Sequence, residues 1–201
     1  MDYDYSKISE FEKSQLPENF QGNVYNISYK WESIIPFTQD PIKILEVGAY
    51  HGANICSYMK TYAQNDKTEI HCIDPWYDYI GYNEYLLKQP SNYSIFLNNI
   101  SKLVPKDLNK IYIYRGLSEN VVPQFEENSF DIIFIDGNHE KRYVLEDSVN
   151  CFKKLKKGGW MIFDDMHDKN VNESVQLYLQ IYKHYFDIFR IQNSQLFIKK
   201  I

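Results

Sequence analysis

The chain has 201 residues, 44% hydrophobic and 24% charged, which suits a single domain with a sizeable core. With 27 acidic against 22 basic residues the net charge is −5, and nothing resembles the basic stripe that a nucleic-acid binder needs to neutralise phosphates. No apolar run approaches the roughly 20 residues that span a bilayer, and the acidic opening "MDYDYSKISEFEK" lacks the apolar segment of a signal peptide. No membrane association and a cytoplasmic location are therefore expected. Cys56, Cys72 and Cys151, odd in number and each in an apolar segment, read as buried free thiols.

Residues 1–40 are weakly patterned, with breaks at Pro17 and Pro36 and a short helix expected in "YKWESIIPF"; they form an N-terminal extension to a domain covering residues 41–201. From residue 41 short apolar strands alternate with amphipathic helices. "IKILEVG" (42–48) is a buried strand followed by a predicted helix over 51–63, and "EIHCIDPW" is a second strand ending at Asp74. After a polar, aromatic stretch a helix is predicted around 93–103. "KIYIYRG" and "FDIIFIDG" are the third and fourth strands, and a long helix is predicted over 140–155. The lysines of "KKLKK" fall in its last turn, where cations complement the helix dipole, with Gly158 and Gly159 read as its cap. "GGWMIFDD" is the fifth strand, 173–184 a further helix, and "YFDIFRIQNSQLFIKK" two strands around the turn "QNSQ".

Such alternation argues for a parallel sheet covered on both faces with right-handed crossovers. The closing tight turn can join only antiparallel strands. The expected fold is α/β and Rossmann-like: a doubly wound, mostly parallel seven-stranded sheet with an antiparallel C-terminal strand.

In a doubly wound sheet ligands bind beyond the carboxyl ends of the strands. The first strand ends "LEVGAYHG", where Gly48 permits a tight turn, Gly52 permits close approach of ligand or helix, and Glu46 and Tyr50 flank the turn. This spacing is not the dinucleotide G-x-G-x-x-G. Asp74 can accept the two hydroxyls of a ribose, or it can serve an Asp-Pro turn. Gly116 and Ser118 can border an adenine, with helix capping the alternative for Ser118. Strands four and five end on Asp136 and on Asp164–Asp165. If the strands are neighbours, three carboxylates converge and repel unless a cation or protons intervene, and a hard divalent ion such as Mg²⁺ suits an all-oxygen set. Asp164 or Asp165 could alternatively cap the next helix. His139, three residues past Asp136, is a candidate general base, and His167 in "DDMHD" is the competing one. Trp76, Tyr77, Tyr79 and Tyr143 are candidate walls of an acceptor pocket, with plain aromatic packing as the alternative.

Assembled, these residues resemble a class I S-adenosylmethionine-dependent methyltransferase. "EVGAYHG" is similar to that family's first motif, Asp74 to its ribose-binding acid, and the C-terminal hairpin to its reversed seventh strand. "IDGNHEKRYVLEDSVNCFKKLKKGGWMIFDD" resembles the metal-dependent branch that includes macrocin-type sugar O-methyltransferases. The resemblance implies that Glu46, Gly48, Tyr50, Gly52, Asp74, Trp76, Gly116, Ser118 and Asp136 bind S-adenosylmethionine. It implies that Asp136, Asp164 and Asp165 hold Mg²⁺ and that His139 is the catalytic base. Catechol O-methyltransferases share the layout but carry a Lys where His139 stands. The implied acceptor is a sugar hydroxyl, such as a deoxyhexose carried as a nucleotide sugar or in a glycan. A lid over it is expected from residues 76–89 or from the second subunit of a homodimer.

Overall fold

A computed structural model describes residues 9–24, 27–79 and 87–201. Seven strands form one sheet: β1 (Lys43–Val47), β2 (Glu69–Asp74), β3 (Ile111–Arg115), β4 (Phe130–Ile135), β5 (Leu155–Phe163), β6 (Phe186–Gln192) and β7 (Gln195–Lys200). Their order is β3-β2-β1-β4-β5-β7-β6. Every pairing is parallel except those of β7, which runs antiparallel to β5 and to β6. The seven-stranded, mostly parallel expectation is met, and the reversed strand is the last one. The chain moves outward from β1 to β3 and then returns to the other side at β4, so the switch in strand order lies between β1 and β4.

Strand residues alternate between two apolar layers, as the pleat requires. Ile44, Ile70, Cys72, Phe134 and Ile162 face a layer with α2 (Ala53–Tyr58) and α3 (Gln89–Ile100). Leu45, Val47, Ile133, Met161 and Phe163 face α6 (Lys141–Lys154) and α7 (Lys169–Tyr182). Both faces are covered, which explains why the strands read as continuous apolar runs. All three cysteines are buried and free.

The N-terminal extension packs onto this frame. It contains α1 (Glu10–Ser14), held by a Ser9–Glu12 capping box, and a 3₁₀ turn at Ser28–Trp31. Trp31 is fully buried, with the Phe134 and Tyr58 rings 5.2 and 5.9 Å away, and its indole N–H donates to Gln195 Oε1 of β7 at 2.8 Å. Truncating such a residue costs about 3–5 kcal/mol. Two short helices, α4 (Pro105–Leu108) and α5 (Ser118–Val121), flank β3.

Several boundaries differ from the sequence pattern. The helix after β1 stops at Tyr58 instead of reaching residue 63, and α3 starts at Gln89 instead of Tyr93. Helix α7 starts at Lys169, because the Asp168 carboxylate caps it by accepting the Asn170 and Val171 N–H groups. The largest correction concerns "KKLKK". Lys153 and Lys154 do close α6, but Leu155 already begins β5, so Gly158 and Gly159 lie inside a strand and are not the helix cap. There the β4–β5 register shifts between Phe130 and Ile132, and Gly158 has φ +79°. The glycines serve a bulge, a use of glycine that looks the same in sequence as a helix stop.

Candidate active site

The carboxyl ends of β1 and β4 meet in one joint. Asp136 N–H donates to Val47 O and Gly48 N–H to Ile73 O, both at 2.8 Å, so the ladder continues one residue past each strand. Gly48 then turns with φ +90°, and a Cβ there would lie 1.8 Å from the Asp136 carbonyl oxygen. Only glycine fits this approach.

Asp74, at the end of β2, ties the two neighbouring turns together. Its Oδ2 accepts the Tyr50 N–H and its Oδ1 the Trp76 N–H, each at 2.9 Å, and the Trp76 indole N–H donates to Tyr50 O at 2.9 Å. Burial pushes the Asp74 carboxyl up to about 6, with the two N–H bonds opposing the shift and Asp136 adding to it. Glu46 on β1 is 2% exposed, and burial holds its carboxyl well above the usual range, with Asp136, Asp74 and Asp164 raising it further.

These groups open onto a cavity of about 640 Å³. Its wall includes Glu46, Gly48, Tyr50, Asp74 and Ser118 together with Asp136, His139, Asp164 and Asp165. Three residues expected at the cofactor lie behind the wall. Gly52 (φ +81°) permits the approach of α3, since a Cβ would meet the Phe96 ring at 3.0 Å. Trp76 is fully buried against Tyr93 and Phe96 and braces the Asp74 turn. Gly116 packs beside Val121. Ser118 is the first residue of α5 rather than its cap, which is Leu117, and its hydroxyl bonds to the buried Asp147 carboxyl.

The strand-end acids meet as the sequence suggested, in altered membership. Ligand atoms of Asp136, His139 and Asp165 lie within 4.8 Å of one another. His139 Nε2 is 3.2 Å from Asp165 Oδ2 and 3.7 Å from Asp136 Oδ1. Asp164 lies outside this trio; its Oδ1 accepts the Asp165 N–H at 2.9 Å. Asp165 itself has φ +51°. The carboxylates of Asp136 and Asp165 push the His139 imidazole up to about 10, while burial raises Asp136 to about 6. His167 stands on the rim, its Nδ1 3.6 Å from Asp165 Oδ1.

Of the aromatic candidates, Tyr79 and Tyr143 line the cavity and meet edge to face with centroids 6.4 Å apart, and Asn138 Nδ2 donates to the Tyr79 hydroxyl at 3.1 Å. Tyr77 does not line the cavity and is 38% exposed. Most of the expected lid, residues 80–86, lies outside the described residues.

Sequence reasoning passed over several wall residues. His51 accepts the Asn23 N–H on Nδ1 and meets Asn92 Oδ1 through Nε2, each at 3.2 Å, which docks the N-terminal extension on the cavity. Glu119 and Gln89 also line it, and so do Asn193 and Ser194 of the β6–β7 turn. Both turn residues are left-handed (φ +51° and +61°), and Ser194 O accepts the Met166 N–H at 2.8 Å. A signal for this turn existed: β6 runs parallel to the other strands, so its carboxyl end must reach the same edge of the sheet.

A Rossmann-like sheet with a reversed last strand, a glycine turn after β1 and an acid ending β2 defines the fold of class I S-adenosylmethionine-dependent methyltransferases. Solved structures share it: a protein from Corynebacterium glutamicum (TM-score 0.56, 13% identity, 82% of this chain and 75% of that one) is one. The SAH-bound methyltransferase PaMTH1 of Podospora anserina (0.54, 17%, 80% and 72%) and the O-methyltransferase NovP (0.55, 13%, 80% and 72%) are others. Uncharacterized protein R132 of Acanthamoeba polyphaga mimivirus is 28% identical over 171 residues, 82% of this chain and 71% of that protein. Residues 45–166 match the methyltransferase domain family, and the chain belongs to it. Among the described residues no helix is long and apolar enough to cross a membrane.

Proposed function

We propose that the chain is a divalent-cation-dependent O-methyltransferase that transfers the methyl of S-adenosylmethionine to a sugar hydroxyl, a deoxyhexose such as rhamnose, carried as a nucleotide sugar or within a glycan. The observation that carries this reading is the convergence of Asp136, Asp165 and His139 beside the cavity that the β1 turn and Asp74 also line. The O-methyltransferase NovP shares the fold, which agrees with the reaction class.

The donor chemistry fits a hard cation. Carboxylate oxygens predominate, and a dication held by them would offset the negative charge that raises His139, favouring the neutral imidazole that a base requires. Asp136, Asp164 and Asp165 would hold Mg²⁺ or a similar ion. A bound dication lowers the pKa of an acceptor hydroxyl and orients its oxygen. In the reaction the acceptor oxygen forms a bond to the methyl carbon as the carbon–sulfur bond breaks. The electron pair goes to sulfur, and His139 takes the hydroxyl proton. Gly48 and Asp74 position the methyl donor, Asn138 and Tyr79 shape the acceptor side, and holding both reactants together supplies much of the rate.

A phenolic acceptor is the second reading, favoured by the edge-to-face Tyr79–Tyr143 wall. The test is methyl transfer to a panel of sugars and catechols with Mg²⁺ or EDTA. Metal-dependent methylation of a sugar is expected, and methylation of catechols alone would move the substrate. Turnover indifferent to EDTA would overturn the cation. Asp164→Ala is expected to abolish turnover while S-adenosylmethionine still binds; lost binding would contradict its assignment.

A further inference from the structure

Three buried side chains of the methyltransferase domain grip the main chain of the N-terminal extension. Asn99, fully buried near the end of α3, accepts the Gln21 N–H on Oδ1 at 2.9 Å. Its Nδ2 donates to Gln21 O at 2.7 Å and to His51 O at 2.9 Å, so the amide oxygen and both amide hydrogens are used. His51 Nδ1 accepts the Asn23 N–H, and Asn54 Oδ1 on α2 accepts the Ser28 N–H at 2.8 Å. Gly22 makes this approach possible: it has φ +99°, and a Cβ there would lie 2.1 Å from His51 Nδ1.

These bonds bear on the cavity, because Asn23, Tyr50, His51 and Asn54 all line it. The His51 ring stacks on the Tyr50 ring with centroids 3.7 Å apart, and Asp74 holds the Tyr50 N–H. The extension, α3 and the turn between β1 and α2 therefore share one set of buried bonds. Apolar packing contributes less here than in the sheet. Leu16, Phe20, Val24 and Ile27 gather around Cys56 in a small cluster separate from the two main layers. The docking of residues 16–28 thus depends on polar groups that are costly to bury without partners.

We infer that Asn99 is a positioning residue for the methyl donor: it clamps Gln21 to the His51 carbonyl, holds the extension against the β1–α2 turn, and so couples donor binding to docking of the extension. The reason is geometric. His51 has its carbonyl fixed by α3 and its ring fixed by the extension, and its neighbours Gly48 and Tyr50 form the turn at which the donor lies. Releasing either hold lets that turn leave the conformation in which the cavity is complete. Such coupling is reciprocal: the factor by which docking raises donor affinity is the factor by which the donor favours docking. The inference rests on S-adenosylmethionine lying at Gly48 and Asp74, and is independent of the cation and the acceptor.

The test measures binding of S-adenosylhomocysteine, so that it does not depend on turnover. Calorimetry compares the parent protein with Asn99→Ala and with Gly22→Ala, which blocks the same approach from the side of the extension. Both variants are expected to bind about tenfold more weakly, within the ordinary range of coupling between sites. In the parent, saturating ligand is expected to slow hydrogen exchange over residues 20–24 by a similar factor. A merely structural Asn99 would lower Tm but leave unmoved both the affinity of the folded variant and the effect of ligand on exchange, and that result would overturn the inference. If Asn99→Ala does not fold, Gly22→Ala and exchange in the parent decide the matter. Failure of the parent to bind S-adenosylhomocysteine would remove the donor site and the coupling with it, whereas binding that neither variant weakens would overturn the coupling alone.

Discussion

Replacing Asp147 by Asn will remove a pH-dependent strain from beneath the active-site loop. Asp147 lies on α6, 3% exposed; its Oδ2 would be 3.2 Å from a Cβ on Gly137. Burial pushes its carboxyl up to about 7, with the Ser118 hydroxyl opposing the shift and Glu146 and Glu119 adding to it. In the unfolded chain an Asp titrates near 4. The folded protein thus holds this proton more tightly, and the stability it confers is complete below about pH 4 and is lost as pH rises through about 7. Each unit is worth about 1.4 kcal/mol. From pH 5 to pH 8 the slope acts over about two units, or about 3 kcal/mol. Asn cannot ionise, and every other titrating group is common to both proteins. The stability of Asp147→Asn relative to the parent should therefore improve by about 3 kcal/mol between pH 5 and pH 8. In a domain of this size that is about 6–12 °C of relative Tm. Urea denaturation of both proteins at the two pH values measures it. A difference that stays constant with pH would refute the buried, proton-holding carboxyl.

Gly48→Ala combines a left-handed φ, worth about 1 kcal/mol, with a Cβ 1.8 Å from the Asp136 carbonyl oxygen. Overpacking of that kind adds about 1–3 kcal/mol, so urea denaturation should show a loss of about 2–4 kcal/mol and calorimetry a weakened S-adenosylmethionine affinity; an unchanged protein would mean that β1 and β4 are not joined so closely. His139→Ala should lower kcat on the order of 10²-fold with the Kd for S-adenosylmethionine unchanged. Retained turnover would pass the base role to His167.

The fold was legible because its strands are short apolar runs that alternate with helices, and because "QNSQ" leaves room only for a reversed strand. Boundaries were less so. Gly158 and Gly159 carry the same signal for a helix stop as for a bulge, and strand pairing with β4 decides between them. Asp136, Asp164 and Asp165 could be read together because they lie at or just past strand ends, with His139 on the loop beyond; that Asp164 falls outside the trio with His139 could not be read. What could not be read is contact set by packing across the chain. Trp76 looks like a binding-site aromatic in sequence, but α3 folds over it and turns it into a brace. His51, Asn23 and Gln89 come from three separate segments, and no local pattern announces that they share a wall.

The paired acids that end β5 have a physical division of labour. Among the non-glycine residues that hold positive φ at the carboxyl edge are Tyr50, Trp76 and Asp165, each at a cost of about 1 kcal/mol or more. Each has its N–H fixed by a carboxylate: Tyr50 and Trp76 by Asp74, Asp165 by its own neighbour Asp164. Such bonds fix a backbone that its own dihedral preferences disfavour. At β5 the outcome is that Asp164 holds the turn that brings the Asp165 carboxylate to His139 and Asp136. Asp164 lines the cavity too, but one of its oxygens is committed to the turn, so the two acids in succession carry different tasks. The same logic makes Asp164 and Asp165 unequal: removing Asp164 disturbs where Asp165 points, whereas removing Asp165 deletes a charge from the trio and leaves the strand end intact.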